Sequence, residues 1–266
     1  MTELAAPAKI NLALVVGPRR GDGRHEVATV LQRVALADTI SLEEAERLEI
    51  DGFPEDTIVR RALESFAARV GVEPRWRTTI EKRIPVAAGL GGGSSDAAAA
   101  LRLANDALGG PLPADDLRAV GAELGADVPF FLTTGPQLGE ADGTALRSLD
   151  LPQDYWILIV LQRGARKSST AAVYEEFDRR NGHEGFEERR AELERALVLG
   201  DLAALPANDL AGSPMAAEFR ELGAFRADVT GAGPAVYGLF AEEAEAVTAA
   251  RAFEGRGGVW ITTTGW

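Results

Sequence analysis

The chain has 266 residues, with 28 basic and 41 acidic side chains, a net charge of −13, no cysteine and two histidines. Its length allows one large domain or two modest ones with a real core, and 46% hydrophobic with 26% charged residues excludes wholesale disorder. The absence of cysteine excludes disulfide scaffolds, Cys-based zinc sites, iron–sulfur clusters and thiol nucleophiles, and the acidic balance argues against nucleic acid or an anionic membrane as partner. With only His25 and His183, a multi-histidine metal site is nearly excluded, and no metal-ligating residue is assigned. No apolar run approaches the ~20 residues of a membrane helix. The first residues lack the basic-then-apolar order of a signal peptide, and the expectation is a cytoplasmic protein.

Along the chain, residues 8–16 alternate: Ile10, Leu12, Leu14 and Val16 share one face, Lys9 and Asn11 the other. That is the period of a strand. Residues 17–23 read as a Gly/Pro/Arg loop, and strands are expected over 27–36 and near 39–50. Asp56 is a capping type for a helix reaching about Arg69, with Gly71 just past its end. Trp76, Thr78 and Ile80 alternate with polar neighbours, as in a half-exposed strand. Ser94, Ser95 and Asp96 are N-cap types ahead of an Ala-rich helix that stops at Gly109-Gly110. A helix over 114–124 stops at Gly125, and Pro129 pushes Val128 towards extended geometry. Residues 155–161 are a continuous apolar run, a buried strand. Its flank, 151–154, is the best boundary in the sequence, giving domains 1–152 and 153–266.

The second half continues with helices over 170–179 and 186–199 and a shorter helix, then strands over 226–229 and 235–240, a helix over 242–253 and a strand over 259–263. The order β, α-layer, β, β, α, β is the split βαβ pattern of a ferredoxin-like domain. The first half lacks the regular alternation of a doubly wound sheet, so the class is α+β.

Five features carry chemistry. Gly89, Gly91, Gly92 and Gly93 let the backbone approach a ligand, and the helix start behind them offers N–H groups and the positive dipole end, a phosphate cradle. It matches neither the P-loop nor the dinucleotide fingerprint. Asp127, before the apolar Phe130-Phe131, suits a general base, although taken alone it is more often a turn or capping residue. Lys9 beside Asn11 is either a solvated strand face or a functional pair. Only Lys9, Lys82 and Lys167 are lysines in a chain that otherwise uses Arg, which tips the balance towards function. His25 adjoins the loop Gly21-Asp22-Gly23-Arg24, where a lone histidine is usually just exposed. The loop Thr230-Gly231-Ala232-Gly233 is equally a hairpin turn or a second phosphate-facing loop.

Pro7-Ala8-Lys9-Ile10-Asn11-Leu12, the segment Pro85 to Asp96 and Thr230-Gly231-Ala232-Gly233 resemble, in that order, the three motifs of the GHMP kinases. The resemblance covers essentially the whole chain. Gly-Asp-Gly-Arg-His-Glu at 21–26, Gly-Ala-Asp-Val-Pro-Phe-Phe at 125–131 and Asn208-Asp209-Leu210 narrow it to the branch that phosphorylates diphosphocytidyl-methylerythritol. It implies a two-lobed fold, an S5-like N-terminal domain and a ferredoxin-like C-terminal domain, with the active site between them. It implies ATP-dependent phosphorylation of the 2-hydroxyl, with Mg²⁺, in the non-mevalonate isoprenoid route. Asp127 would be the catalytic base and Lys9 its partner. Pro85, Val86, Ala87, Ala88, Gly89, Leu90, Gly91, Gly92, Gly93, Ser94 and Ser95 would hold the ATP phosphates.

On the substrate side, Asn11 and His25 would face the diphosphocytidyl group and Tyr174 would stack on cytosine. Arg24 stands where the family has a stacking Tyr. A guanidinium plane also stacks on a base, so Arg24 is expected to substitute for the ring. The run Glu140-Ala141-Asp142-Gly143-Thr144 departs from the family's Gly-x-Gly-Glu turn. Two alternatives stand beside this reading. One is a homoserine- or mevalonate-type kinase, disfavoured by His25 and Tyr174. The other is a non-catalytic nucleotide-binding module, whose sign would be loss of Asp127 or Lys9. The expected partner is the small-molecule substrate alone, with the chain a monomer or weak homodimer.

Overall fold

β1 (Thr2–Arg19) is longer than the alternation in 8–16 requires. Lys9 and Asn11 are buried along with Ile10 and Leu12, so neither face of the strand is solvated there. The strand also runs through Gly17-Pro18-Arg19, where composition suggests a loop. The Phe186 ring packs so close that a Cβ at Gly17 would stand 3.0 Å from it. The computed structural model describes residues 2–53, 57–165 and 169–265; Asp56, expected to cap the first helix, lies outside them.

β2 (His25–Glu44) is one strand where two are expected. Asp38 looks like a break in the sequence, but it is fully buried in mid-strand and its carboxylate accepts from the backbone N–H groups of Arg83 (2.5 Å) and Ile84 (2.8 Å). Next come β3 (Glu49–Asp51), α1 (Thr57–Val70), β4 (Trp76–Glu81), α2 (Gly92–Ala107) and α3 (Ala114–Leu124). α4 (Val128–Phe131), β5 (Gln137–Glu140), β6 (Ala145–Ser148) and β7 (Trp156–Gln162) follow. The later elements are α5 (Thr170–Arg179), α6 (Phe186–Leu199), α7 (Pro214–Glu221), β8 (Arg226–Val229), β9 (Val236–Phe240), α8 (Glu243–Arg251) and β10 (Gly257–Thr263).

The described residues form two compact units from interleaved stretches: 1–8, 36–86 and 91–134 belong to the first, and 9–35, 87–90 and 135–266 to the second. In the first unit the later half of β2 pairs antiparallel with β4, Ile40 opposite Ile80, and β4 pairs parallel with β3. Helix α2 packs on α1 and α4. Its buried face is Ala97, Ala98, Ala100, Leu101 and Ala104, side chains short enough to bring helix backbones close. Phe66 of α1 meets Trp76 of β4 with ring centroids 6.1 Å apart.

In the second unit the early half of β2 pairs antiparallel with β5, Val30 opposite Leu138, and β5 turns back into β6. A separate sheet has the order β10-β7-β9-β8, antiparallel throughout. That is the expected ferredoxin-like arrangement, with α7 and α8 packed on it. Its core includes Leu158, Val160, Met215, Phe219, Phe240 and Phe253, the last of which stacks on Phe219. A smaller cluster of Leu14, Val16, Val27, Phe177 and Leu210 packs α5 against the ends of β1 and β2, with Val173 and Tyr174 at its edge. A bridge between Val34 and Thr264 brings the chain after β10 back to β2.

Candidate active site

The glycine segment combines a twisted backbone with an uncapped helix start. Ala87 (φ 57°), Gly89 (φ 85°) and Gly91 (φ 71°) all lie in the left-handed region. Helix α2 begins at Gly92 with Gly91 as N-cap, so Ser94 and Ser95 sit within its first turn rather than ahead of it. No side chain caps it, and the first N–H groups of a 16-residue helix keep their dipole and donors for a ligand. The Ser95 hydroxyl is buried without a hydrogen-bond partner. Donors without a competing cap, on a backbone that approaches closely, fit the phosphate groups of ATP.

Behind that helix start lies a charged cluster the sequence did not announce. Lys82 donates to Asp38 (2.5 Å) and to Asp96 (2.7 Å), both carboxylates fully buried. One ammonium cannot neutralise two carboxylates. Asp38 also takes two backbone N–H bonds, so it holds the charge more readily, while one oxygen of Asp96 has no partner. Burial raises the Asp96 carboxyl to about 7 despite the Lys82 hydrogen bond. Burial also opposes the Lys82 charge, but the bonds to the two aspartates outweigh it and hold the ammonium above its ordinary range. The scarcity of lysine that drew attention to Lys9 applied equally to Lys82.

Asp127 belongs to the first unit. It is the N-cap residue of α4, with helical φ and ψ, and its side chain does not cap that helix. Val128 is helical rather than extended, contrary to the expectation from Pro129. A proline in the first turn forfeits no intrahelical hydrogen bond, and α4 is a short helix that tolerates it there.

In the second unit, Lys9 and Asn11 form the centre of a buried knot. Lys9 Nζ donates to Asn11 Oδ1 (2.7 Å), and Asn11 Nδ2 donates to the Thr29 hydroxyl (2.8 Å), which in turn donates to the Ala13 carbonyl (2.8 Å). The Asn11 N–H donates to the Thr230 hydroxyl (3.2 Å). That hydroxyl stands 3.2 Å from the Gly89 carbonyl and 3.3 Å from Asn11 Oδ1. The Lys9 N–H donates to the Leu90 carbonyl (2.9 Å) and the Ala235 N–H to the Ala88 carbonyl (3.1 Å). The loop at 230–233 is thus tied to residues 88–90 and lies against the lysine: a Cβ on Gly231 would be 3.5 Å from Lys9 Nζ. Asn11 positions this lysine through its amide.

Asn208 closes the knot from outside. Its amide donates to the carbonyls of Val229 (2.9 Å) and Gly231 (2.7 Å) and accepts from the Leu210 N–H (2.9 Å). Asp209 beside it accepts from the Val16 N–H (2.8 Å) and from Arg189 (3.0 Å). The Asn-Asp-Leu motif at 208–210 is therefore a clamp on the glycine loop and on β1.

His25 and Tyr174 come together. The imidazole is buried, stacked on Tyr174 with centroids 4.7 Å apart and planes 23° off parallel, and edge-on to Phe177 at 5.8 Å. His25 Nε2 lies 2.7 Å from Asp178 Oδ1, and Asp178 Oδ2 accepts from Arg19 Nε (2.9 Å) and Nη2 (2.5 Å). Asp178 follows Tyr174 by four residues on α5, a spacing that places two side chains on one helix face and could have exposed it in the sequence. Arg24 is apart from this group: its guanidinium is paired with Asp142, which also takes the Thr144 hydroxyl (2.6 Å). Burial opposes the Asp142 charge, but the Thr144 and Arg24 hydrogen bonds outweigh it and hold that carboxyl low.

The chain is similar to proteins of known sequence and structure. The family model for the GHMP kinases N terminal domain matches residues 57–135 and that for the GHMP kinases C terminal region residues 214–258. The 4-diphosphocytidyl-2-C-methyl-D-erythritol kinase of Geobacter metallireducens is 38% identical, over 93% of this chain and 92% of its own. The chain belongs to the 4-diphosphocytidyl-2-C-methyl-D-erythritol kinase family. A crystal structure of a kinase of this family superposes on the whole of both chains with a TM-score of 0.83 at 30% identity. The homoserine kinase of Cytophaga hutchinsonii covers 98% of this chain and 94% of its own with a TM-score of 0.76 at 16% identity, and so shares the fold. In this member of the 4-diphosphocytidyl-2-C-methyl-D-erythritol kinase family, no helix of the described residues is long and apolar enough to cross a membrane.

Proposed function

We propose that the protein transfers the γ-phosphoryl group of ATP to the 2-hydroxyl of diphosphocytidyl-methylerythritol, in the non-mevalonate route to isoprenoid precursors. The observation that carries this reading is the likeness over nearly the full length, at 38% identity, to a kinase of that name. The runner-up, a homoserine-type kinase, shares the fold at only 16% identity. The buried pair of His25 and Tyr174 supports the cytidine-side reading.

Phosphoryl transfer requires positioning and charge stabilisation more than covalent chemistry. Residues 85–95 bind the ATP phosphates through backbone N–H groups and the start of α2. Mg²⁺ bound to the ATP phosphates seated on residues 85–95 would offset their charge. Asp127 accepts the proton of the attacking hydroxyl. Lys9, its ammonium fixed by Asn11, stabilises the emerging alkoxide. His25 and Tyr174 receive the cytosine. The protein acts in the cytoplasm as a monomer or weak homodimer, with functional domains 1–152 and 153–266.

The test is a substrate panel with Mg-ATP, following ADP release. Diphosphocytidyl-methylerythritol should be turned over far faster than homoserine, mevalonate or galactose, and equal turnover of any of those three refutes the assignment. Asp127→Asn should lower kcat by about 10²–10⁴-fold with ATP binding retained. Full activity in that variant refutes the role given to Asp127.

A further inference from the structure

The side chain of Thr29 fixes which way round the Asn11 amide lies. Asn11 and Ala13 are two residues apart on β1, and one hydroxyl of the neighbouring β2 reaches both. It stands 2.8 Å from the Ala13 carbonyl and 2.8 Å from the end of the Asn11 amide. A hydroxyl has one hydrogen to give, and a backbone carbonyl only accepts. That hydrogen goes to Ala13, so the Asn11 atom facing Thr29 is the donor, Nδ2. Oδ1 then points the other way, where Lys9 Nζ lies 2.7 Å from it. An ammonium has donors alone and demands an acceptor. The two ends of the amide are therefore assigned by different neighbours, and the assignments agree.

Thr29 is itself held in place. It lies opposite Gly139 in the pairing of β2 with β5. Its methyl group faces that glycine, where a Cβ would stand 3.2 Å from the methyl carbon. β-Branched side chains are stiff at χ1, so seating the methyl group also aims the hydroxyl. Lys9, Asn11 and Thr29 are all buried, and bulk water does not stand in for a lost partner. Turned over, the amide would set Nδ2 against the Lys9 ammonium, donor facing donor. Oδ1 would then meet a hydroxyl whose hydrogen is committed to Ala13.

We propose that Thr29 is a positioning residue for phosphoryl transfer: its hydroxyl sets the orientation of the Asn11 amide and, through that amide, the place of the Lys9 ammonium. This rests on the reading above that Lys9 stabilises the emerging alkoxide. Without the hydroxyl, Nδ2 loses its acceptor and the amide loses its fixed sense. The ammonium then shifts from the point where charge develops, and a displacement of about 1 Å costs about 10²-fold in rate.

The experiment uses the full chain and reads kcat with whichever acceptor of the substrate panel the parent turns over fastest. Thr29→Val keeps the shape and removes the hydroxyl; it should lower kcat by about 10²-fold with KM for ATP nearly unchanged. Thr29→Ser keeps the hydroxyl and should regain most of that loss. In an Asn11→Ala background, Thr29→Val should cause no further fall in kcat, because the amide it orients is gone. Parent kcat in Thr29→Val overturns the inference. So does a loss that Thr29→Ser does not repair, or one that multiplies in full with that of Asn11→Ala, both marks of a general loosening of the strands. Proton NMR of the parent tests the orientation without any substitution at Thr29, with the Asn11 amide signals identified by their absence in Asn11→Ala. Those hydrogens should contact the Thr29 methyl group, and contact with the Lys9 ε-methylene in its place overturns the inference. A parent that phosphorylates no member of the panel removes the kinase reading and this one with it. An active parent with an unaffected Thr29→Val overturns this one alone.

Discussion

Gly89 is the position at which a single methyl group should separate backbone strain from steric displacement. Its φ is +85°, and a Cβ there would lie 2.4 Å from the Thr230 carbonyl oxygen and 3.0 Å from that of Gly233. An alanine in the left-handed region costs roughly 1–2 kcal/mol. Moving a backbone carbonyl by about 1 Å to reach ordinary contact adds roughly 1–3 kcal/mol, the usual cost of overpacking. Gly89→Ala should therefore destabilise by about 2–5 kcal/mol, or about 4–20 °C in melting temperature for a chain of this size. Gly109 supplies the control: its φ is +77° and nothing lies within 4 Å of a Cβ built there. Gly109→Ala should lose only the strain, about 2–8 °C. Because Thr230 also contacts Asn11 and the Gly89 carbonyl, displacing it disturbs the lysine knot. kcat/KM for ATP should fall by about 10-fold or more in Gly89→Ala and stay at the parent value in Gly109→Ala. Equal melting losses in the two variants, with activity intact in both, would refute the claim that residues 87–90 are seated against the loop at 230–233.

Three further outcomes follow from the same geometry. Burial places Asp96 at about 7 in the folded protein, against about 4 for an unfolded aspartate, so the native state binds the extra proton between those values. Its contribution to stability is full below about 4 and is lost as pH rises through 7; Asp96→Asn should flatten the decline of melting temperature between pH 5 and 8, and an unchanged slope refutes the assignment. Asn208→Asp removes both donors to the carbonyls of Val229 and Gly231. It should lower kcat by up to about 10²-fold with KM for the cytidine substrate nearly unchanged; a rise in that KM with kcat intact would contradict the clamp. Arg24 is an exposed partner of Asp142, and such pairs contribute on the order of 0–1 kcal/mol, so Arg24→Ala should move KM by less than about fivefold; a larger increase would mean that the guanidinium leaves Asp142 to stack on the base.

What could be read from the sequence was whatever local physics decides. Helices α3, α5 and α6 begin and end at the residues their periodicity and glycines indicate, and the strand order of the ferredoxin-like sheet follows from its elements. The departures have long-range causes. Asp38 reads as a strand break until Arg83 and Ile84 are seen to donate to it. The hairpin of β5 and β6 is built from four-residue strands, too short to show a period, and is held by pairing to β2. Ser94 and Ser95 have the chemistry of caps, but the left-handed Gly91 starts the helix before them. Lys9, Asn11 and His25 stood out by residue type. Thr29, the partner of Asn11, did not, because a hydrogen bond across 18 residues leaves no mark in either neighbourhood, and Asp178, the partner of His25 across 153 residues, is marked only by its four-residue spacing from Tyr174 on α5.

The pairing of Val34 with Thr264 has a consequence for how the protein is made. Both residues belong to the second unit, and the Arg33 carbonyl accepts from the Gly265 N–H at 2.9 Å across the same junction. About 230 residues must be synthesised between the two sides of this contact, which at cellular elongation rates of about 5–20 residues per second takes roughly 10–50 s. During that interval a twenty-residue strand, its apolar residues interleaved with charged and polar ones, is already outside the ribosome without its last partner. The lysine knot on β1 is under the same constraint: the Thr230 hydroxyl that accepts from the Asn11 N–H is made about 220 residues after Asn11, so the knot is among the last parts of the molecule to acquire its working shape.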